Sequence, residues 1–67
     1  MNGFVIILLL QNGCSCYYAT CKGDFNPVFD VKLAEVFYYA HRANNTAKEL
    51  MKSPLGAGIV TYKVKAL

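Results

Sequence analysis

Seven apolar residues in unbroken succession, Phe4 to Leu10, are followed by Gln11-Asn12-Gly13 and then by Cys14-Ser15-Cys16-Tyr17-Tyr18-Ala19. Seven residues suit a strand rather than a membrane span, and Asn-Gly between two β-prone runs is a strong hairpin signal. A two-residue turn at Asn12-Gly13 sets Gln11 opposite Cys14, Leu9 opposite Cys16, Ile7 opposite Tyr18 and Val5 opposite Thr20. The other surface then pairs Leu10 with Ser15, Leu8 with Tyr17 and Ile6 with Ala19. Side chains alternate between the faces of a strand, so a run with no alternation asks for apolar cover on both.

Further along, Cys21 to Pro27 is rich in turn formers and reads as a loop, and Asp30 can cap a short helical turn from Val31 to Glu35. On a helical wheel of residues 40–52, Ala40, Ala43, Ala47, Leu50 and Met51 share an arc of about 100° and the polar residues take the remainder. Carried back, the wheel drops Phe37, Tyr38 and Val31 on its polar side. Val36-Phe37-Tyr38-Tyr39 is β-branched or aromatic and reads as a short third strand over 36–39, ahead of a helix over about 40–52. One longer helix from Asp30 is the alternative. Ser53-Pro54 ends the helix, Gly56-Ala57-Gly58 turns the chain, and Ile59 to Lys65 alternates, with Val60, Tyr62 and Val64 on one face and Thr61, Lys63 and Lys65 on the other. The expected architecture is α+β in the order β-β-β-α-β, a small, mostly antiparallel sheet with one helix packed on one face. That helix covers one side of the opening strand and leaves the other to a partner.

Composition sharpens this picture. Sixty-seven residues make a single domain, 1–67, of which 55% are hydrophobic and 16% charged. A chain this short buries only about 60% of its unfolded surface, and proteins of this size recruit disulfides, metals or oligomerisation. The net charge of +3 is mild, and no block of like charges forms a nucleic-acid tail. Three cysteines, an odd number, point to reduced thiols and a cytoplasmic setting rather than a secreted disulfide scaffold. No positive charge precedes Phe4, and Gln11-Asn12 stand where a cleavage site wants small residues, so no signal peptide and no membrane association are expected.

Little here carries chemistry. Cys14, Cys16, Cys21 and His41 could supply a Cys3His zinc set, but their spacing resembles no usual knuckle, and buried free cysteine ordinarily behaves as a small hydrophobe. His41 falls on the polar face of the helix beside Arg42. We therefore expect no catalytic residues, no metal, no cofactor and no enzyme. The aromatics say more: adjacent tyrosines in a strand place one ring on each face, so Tyr17-Tyr18 and Tyr38-Tyr39 each send a ring outward. Tyr and Arg are favoured at interfaces, which makes Tyr17, Tyr18, Tyr38, Tyr39 and Arg42 the candidate partner-binding residues. A second set, Arg42, Lys48, Lys63 and Lys65, could hold nucleic acid, although the patterns of the common nucleic-acid modules are absent.

Phe4 to Leu10, the Asn12-Gly13 turn, paired Tyr17-Tyr18, Ala34-Glu35-Val36-Phe37, an alanine-rich amphipathic helix and a closing Val60 to Val64 strand together resemble small bacteriophage-encoded accessory proteins, including host-takeover and anti-defence proteins. The resemblance spans most of the chain and rests on pattern. It implies a viral protein of the host cytoplasm that binds a host protein, defence-system components included, as an inhibitor or redirector. The expected function is thus a non-enzymatic protein–protein interaction, with a homodimer as the expected assembly and nucleic-acid binding as the alternative.

Overall fold

The computed structural model describes residues 3–67. Strand β1 (Phe4–Leu10) is the centre of a three-stranded antiparallel sheet, flanked by β2 (Ser15–Tyr17) on one side and β5 (Ile59–Ala66) on the other. A small separate hairpin, β3 (Thr20–Cys21) with β4 (Asp24–Phe25), follows β2. The helix α1 (Ala40–Lys52) packs on one face of the sheet, which gives the expected α+β architecture.

The core lies between α1 and the even-numbered side chains of β1. Ile6 and Leu8 are fully buried and cluster with Cys16, Ala43, Ala47, Leu50 and Ile59. Alanines at 43 and 47, both without solvent exposure, let the helix backbone approach the sheet. Tyr62 on β5 donates a hydrogen bond from its hydroxyl to Oδ1 of Asn44 and ties strand to helix. The helix bounds match the wheel closely because a 3.6-residue period over thirteen residues leaves little freedom of phase.

The first hairpin is shifted by one residue from the expected register. Ile7 pairs with Tyr17, Leu8 with Cys16 and Leu9 with Ser15. A two-residue type I′ turn needs φ > 0 at both central positions. Here Gly13 has φ 87° but Asn12 does not enter the left-handed region. The loop instead has three residues: the N–H of Gly13 donates to the Leu10 carbonyl (3.0 Å) and that of Leu10 to the Cys14 carbonyl (2.8 Å). Asn12 spends its side chain on the loop, accepting from the N–H of Cys14 at 2.9 Å. One residue of slip exchanges the faces of β2, so Cys16 and Tyr18 join Leu8 and Ile6 on the helix side and Tyr17 takes the other.

The tight turn with two positive φ values occurs elsewhere, at Lys22 (φ 54°) and Gly23 (φ 84°), between Cys21 and Asp24. This corrects the loop expected over Cys21 to Pro27. Lysine has no side-chain bond to offset the left-handed conformation, which costs about 1 kcal/mol relative to a residue that tolerates it. Lys22→Asn is accordingly expected to stabilise the protein and raise Tm by about 5 °C for a domain of this size, read in a thermal melt.

The segment 26–39 is neither a long helix nor a strand. Asp30 caps a 3-10 turn at Val31–Leu33, its Oδ1 accepting from the N–H of Lys32 at 2.9 Å. The third strand expected over 36–39 is reduced to one bridge: Phe37 exchanges two backbone hydrogen bonds with Phe4 (2.7 and 2.8 Å). Val28 makes a similar bridge to Tyr17, and the N–H of Glu35 donates to the Tyr18 carbonyl. Next along β1 the Ile6 carbonyl accepts from the N–H of Tyr18 rather than from this segment, and Val36 and Tyr38 are exposed despite their β-propensity. In β5 a bulge at Val60 turns that side chain to solvent and seats Ile59 in the core, which corrects the expected placing of Val60 beside Tyr62 and Val64.

Candidate functional site

The sheet side away from the helix carries Val5, Ile7 and Leu9 of β1, Ser15 and Tyr17 of β2, and Thr61, Lys63 and Lys65 of β5. It is not bare throughout. Val5 is fully buried, Ile7 and Tyr17 are half-buried, and Leu9 is 39% exposed. The face is closed at the start of β1 and opens toward the hairpin end, in a neighbourhood of exposed Thr61 and Lys63.

The larger uncovered apolar surface lies in the segment before the helix. Phe29 is 77% exposed and Leu33 66%, and Val31 and Val36 are also exposed. Tyr38 and Tyr39 follow at 66% and 61%. Capping by Asp30 explains part of this, because the 3-10 turn it starts places Val31 to Leu33 on a tight curve with no buried residue. The edge bridges at Val28 and Phe37 hold the two ends of the segment against the sheet; between them Ala34 turns inward, while Phe29, Val31, Leu33 and Val36 stay outside. Val36 continues this surface to the chain end: an atom at the Cβ position of Gly3 would stand 2.5 Å from Val36 Cγ1 and 3.7 Å from Leu67 Cδ1, so these two exposed side chains converge. Sequence reasoning missed Phe29, Leu33 and Val36. A signal existed in the alternation Phe29-Asp30-Val31-Lys32-Leu33, which matches no helical face and has no strand to pair with.

The five expected partner-binding residues fall in three places. Tyr38, Tyr39 and Arg42 gather where the chain enters α1, all exposed, with the Tyr39 ring 5.7 Å from that of His41. Tyr17 stands apart on the helix-free side of the sheet. Tyr18 turns inward, its ring 5.7 Å from Phe25 and 6.0 Å from Phe37, packed against the core cluster. Burial, and secondarily the negative charge of Glu35, pushes the Tyr18 phenol above its ordinary range. Glu35 itself accepts a hydrogen bond of 2.6 Å from the Thr20 hydroxyl.

A phenol whose folded-state value is raised stabilises the fold fully below the unfolded value of about 10, and that contribution is lost as pH climbs through it, because the unfolded chain ionises first. Burial pushes the Cys16 thiol up as well, in the same sense. Urea midpoints are expected to fall as pH rises through about 9 to 11, and to fall less in Tyr18→Phe.

The expected basic set does not form one surface. Lys63 and Lys65 are on the sheet side opposite the helix, whereas Arg42 and Lys48 are on α1, six positions apart and so on different helical faces. Cys16 is buried while Cys14 and Cys21 are exposed, and all three thiols are free. Among the described residues no group of three His, Cys, Asp or Glu side chains stands close enough to hold a metal ion, and no helix is long and apolar enough to cross a membrane. An open groove of about 330 Å³ lies between the start of α1 and β5, lined by Ala40, His41, Asn44 and Val64. Within it stand the His41 imidazole and the Asn44 amide, whose Oδ1 accepts from the Tyr62 hydroxyl. No protein-family model, curated protein or solved structure matches the chain.

Proposed function

We propose that this chain is a small non-catalytic interaction protein, of the bacteriophage accessory kind it resembles, that binds a host protein in the cytoplasm and inhibits or redirects it. The observation that carries this reading is the concentration of uncovered apolar side chains before the helix. Of the ten large hydrophobic residues with most exposure, six (Phe29, Val31, Leu33, Val36, Tyr38 and Tyr39) fall in one stretch of eleven residues. Ala34 and Phe37 of this stretch pack inward and the six do not, and exposed apolar side chains gathered so densely along a chain are an ordinary mark of a protein-binding site. Tyr38 and Tyr39 add ring area with polar tips, and Arg42 a charged anchor beside them. Without its target the same surface would hold two copies together as a homodimer. A defence-system component is one kind of target that this reading admits.

The test uses the tagged protein recovered from the cells that make it, alongside Phe29→Ser/Leu33→Ser. Both positions are exposed, so stability should change by no more than about 0.5 kcal/mol per site. A protein that accompanies the wild type should be recovered about tenfold less with the variant, a loss of roughly 1.4 kcal/mol. Equal recovery with both, or no associated protein at all, would overturn the reading.

A further inference from the structure

Among the described residues, strand β5 is the outermost strand of the sheet, bonded to β1 along one edge with no strand along the other. The direction of its backbone groups follows from β1. Phe4 exchanges its bonds with Phe37, the Leu10 N–H goes to Cys14, and the Ile6 carbonyl accepts from Tyr18. Even-numbered residues of β1 thus turn their backbone toward the β2 side. Val5, Ile7 and Leu9 turn theirs toward Lys65, Lys63 and Thr61 of β5. By the same alternation, Tyr62, Val64 and Ala66 point their N–H and C=O groups outward along the free edge. Their side chains lie on the helix side, where Val64 borders the groove with Ala40, His41 and Asn44, while Lys63 and Lys65 flank them on the other side.

The geometry points to an acceptor site for an extended acidic peptide, added antiparallel as a fourth strand on β5. A residue opposite Val64 would exchange two backbone bonds with it and lay an apolar side chain toward the groove. Its two neighbours would stand opposite Lys63 and Lys65, at non-hydrogen-bonded positions where side chains come closest. Acidic residues there meet opposite charge, so the recognised pattern is acidic-apolar-acidic. A second copy of β5 fits poorly. Bonding the outward groups of two copies forces odd-numbered residues opposite odd-numbered ones, which sets lysines of one copy against or next to those of the other, and like charges across a pair are destabilising. Lysines on an edge strand ordinarily discourage pairing; an acidic strand turns that repulsion into attraction. This inference rests on the reading of the chain as a protein-binding module, but it uses the backbone edge of β5 rather than Phe29 and Leu33, and meets the other surface only at Tyr39, whose ring lies beside His41.

The probe is a labelled, end-blocked peptide of alternating Glu and Val, titrated by fluorescence anisotropy into the intact protein at low salt. Its controls are a peptide of the same composition with the two residue types in separate blocks, and an alternating Lys and Val peptide. The alternating acidic peptide should bind about tenfold more tightly than either. It should slow amide exchange at Tyr62 and Val64 and leave Leu33 and Tyr38 unchanged. Lys63→Glu/Lys65→Glu, at exposed positions that leave the fold intact, should reverse the preference toward the Lys and Val peptide. Equal binding of the block peptide, protection away from β5, or an unchanged preference in the double variant would overturn the proposal. A failed titration beside a complex that still depends on Phe29 and Leu33 removes the fourth strand alone. Successful titration with no such complex removes the 29–39 surface and leaves the strand site standing.

Discussion

Leu8→Ala is expected to leave the protein largely unfolded at room temperature. Leu8 is fully exposure-free and meets Ile6, Cys16, Ala43, Ala47, Leu50 and Ile59 in one cluster. Truncating a buried leucine costs about 2–5 kcal/mol, through lost transfer energy and the cavity left behind. A core in a domain of this length rarely supplies more than about 3–5 kcal/mol in total. The helix has little side chain with which to fill the cavity, because two of its three buried residues, Ala43 and Ala47, are alanines and only Leu50 is large. Leu9→Ala, one position along the same strand but on the opposite face, should cost no more than about 1 kcal/mol, given its exposure. Circular dichroism melts of the two variants read the difference, and equal losses would show that β1 is not sided as described.

Gly56→Ala is expected to destabilise by about 3 kcal/mol or more, at the upper end of what overpacking produces. Gly56 is buried in the 3-10 turn Pro54–Gly56 that follows α1. A Cβ there would collide with the carbonyl oxygen of Leu50 and stand 2.9 Å from the Cα of Met51. Those are backbone atoms of the last helical turn, and they cannot swing aside as a side chain does. The Leu50 carbonyl also accepts from the Ser53 N–H (3.1 Å) and hydroxyl (2.9 Å), so moving it breaks the helix terminus. The measurement is the urea midpoint. Gly58→Ala, where a Cβ meets nothing within 4 Å, serves as the matched control and should change it little.

Much of this fold is legible in the sequence where a period is long enough to fix its own phase. Thirteen residues of helix identify Ala43, Ala47 and Leu50 as the buried stripe, and the alternation of β5 separates Tyr62 and Val64 from Lys63 and Lys65. Short elements are less legible because one residue decides them. Asn12-Gly13 has the composition of a two-residue turn yet forms a three-residue loop, and that difference decides which of Tyr17 and Tyr18 faces outward. Lys22-Gly23 makes the tighter turn although lysine does not advertise it. Val36 to Tyr39 has β-propensity, but a strand needs a partner, and only Phe37 finds one. The apolar excess of the chain was likewise visible from composition, whereas its location was not: it gathers less on the sheet face behind Leu9 than at Phe29, Leu33, Tyr38 and Tyr39.

On the proposed reading, the protein acts through apolar side chains that its own fold leaves uncovered between residues 29 and 39. Site-specific photocrosslinking tests it most directly. A benzophenone amino acid is placed at Phe29, Leu33 or Tyr38, and in separate variants at Lys48 or Glu49 on the exposed face of α1, and the protein is irradiated in the cells that make it. A discrete crosslinked protein is expected from the first three positions, with a mass that tells a foreign partner from a second copy, and little from the helix. Crosslinks of equal strength from Lys48 and Glu49, or none from Phe29, Leu33 and Tyr38, would contradict it.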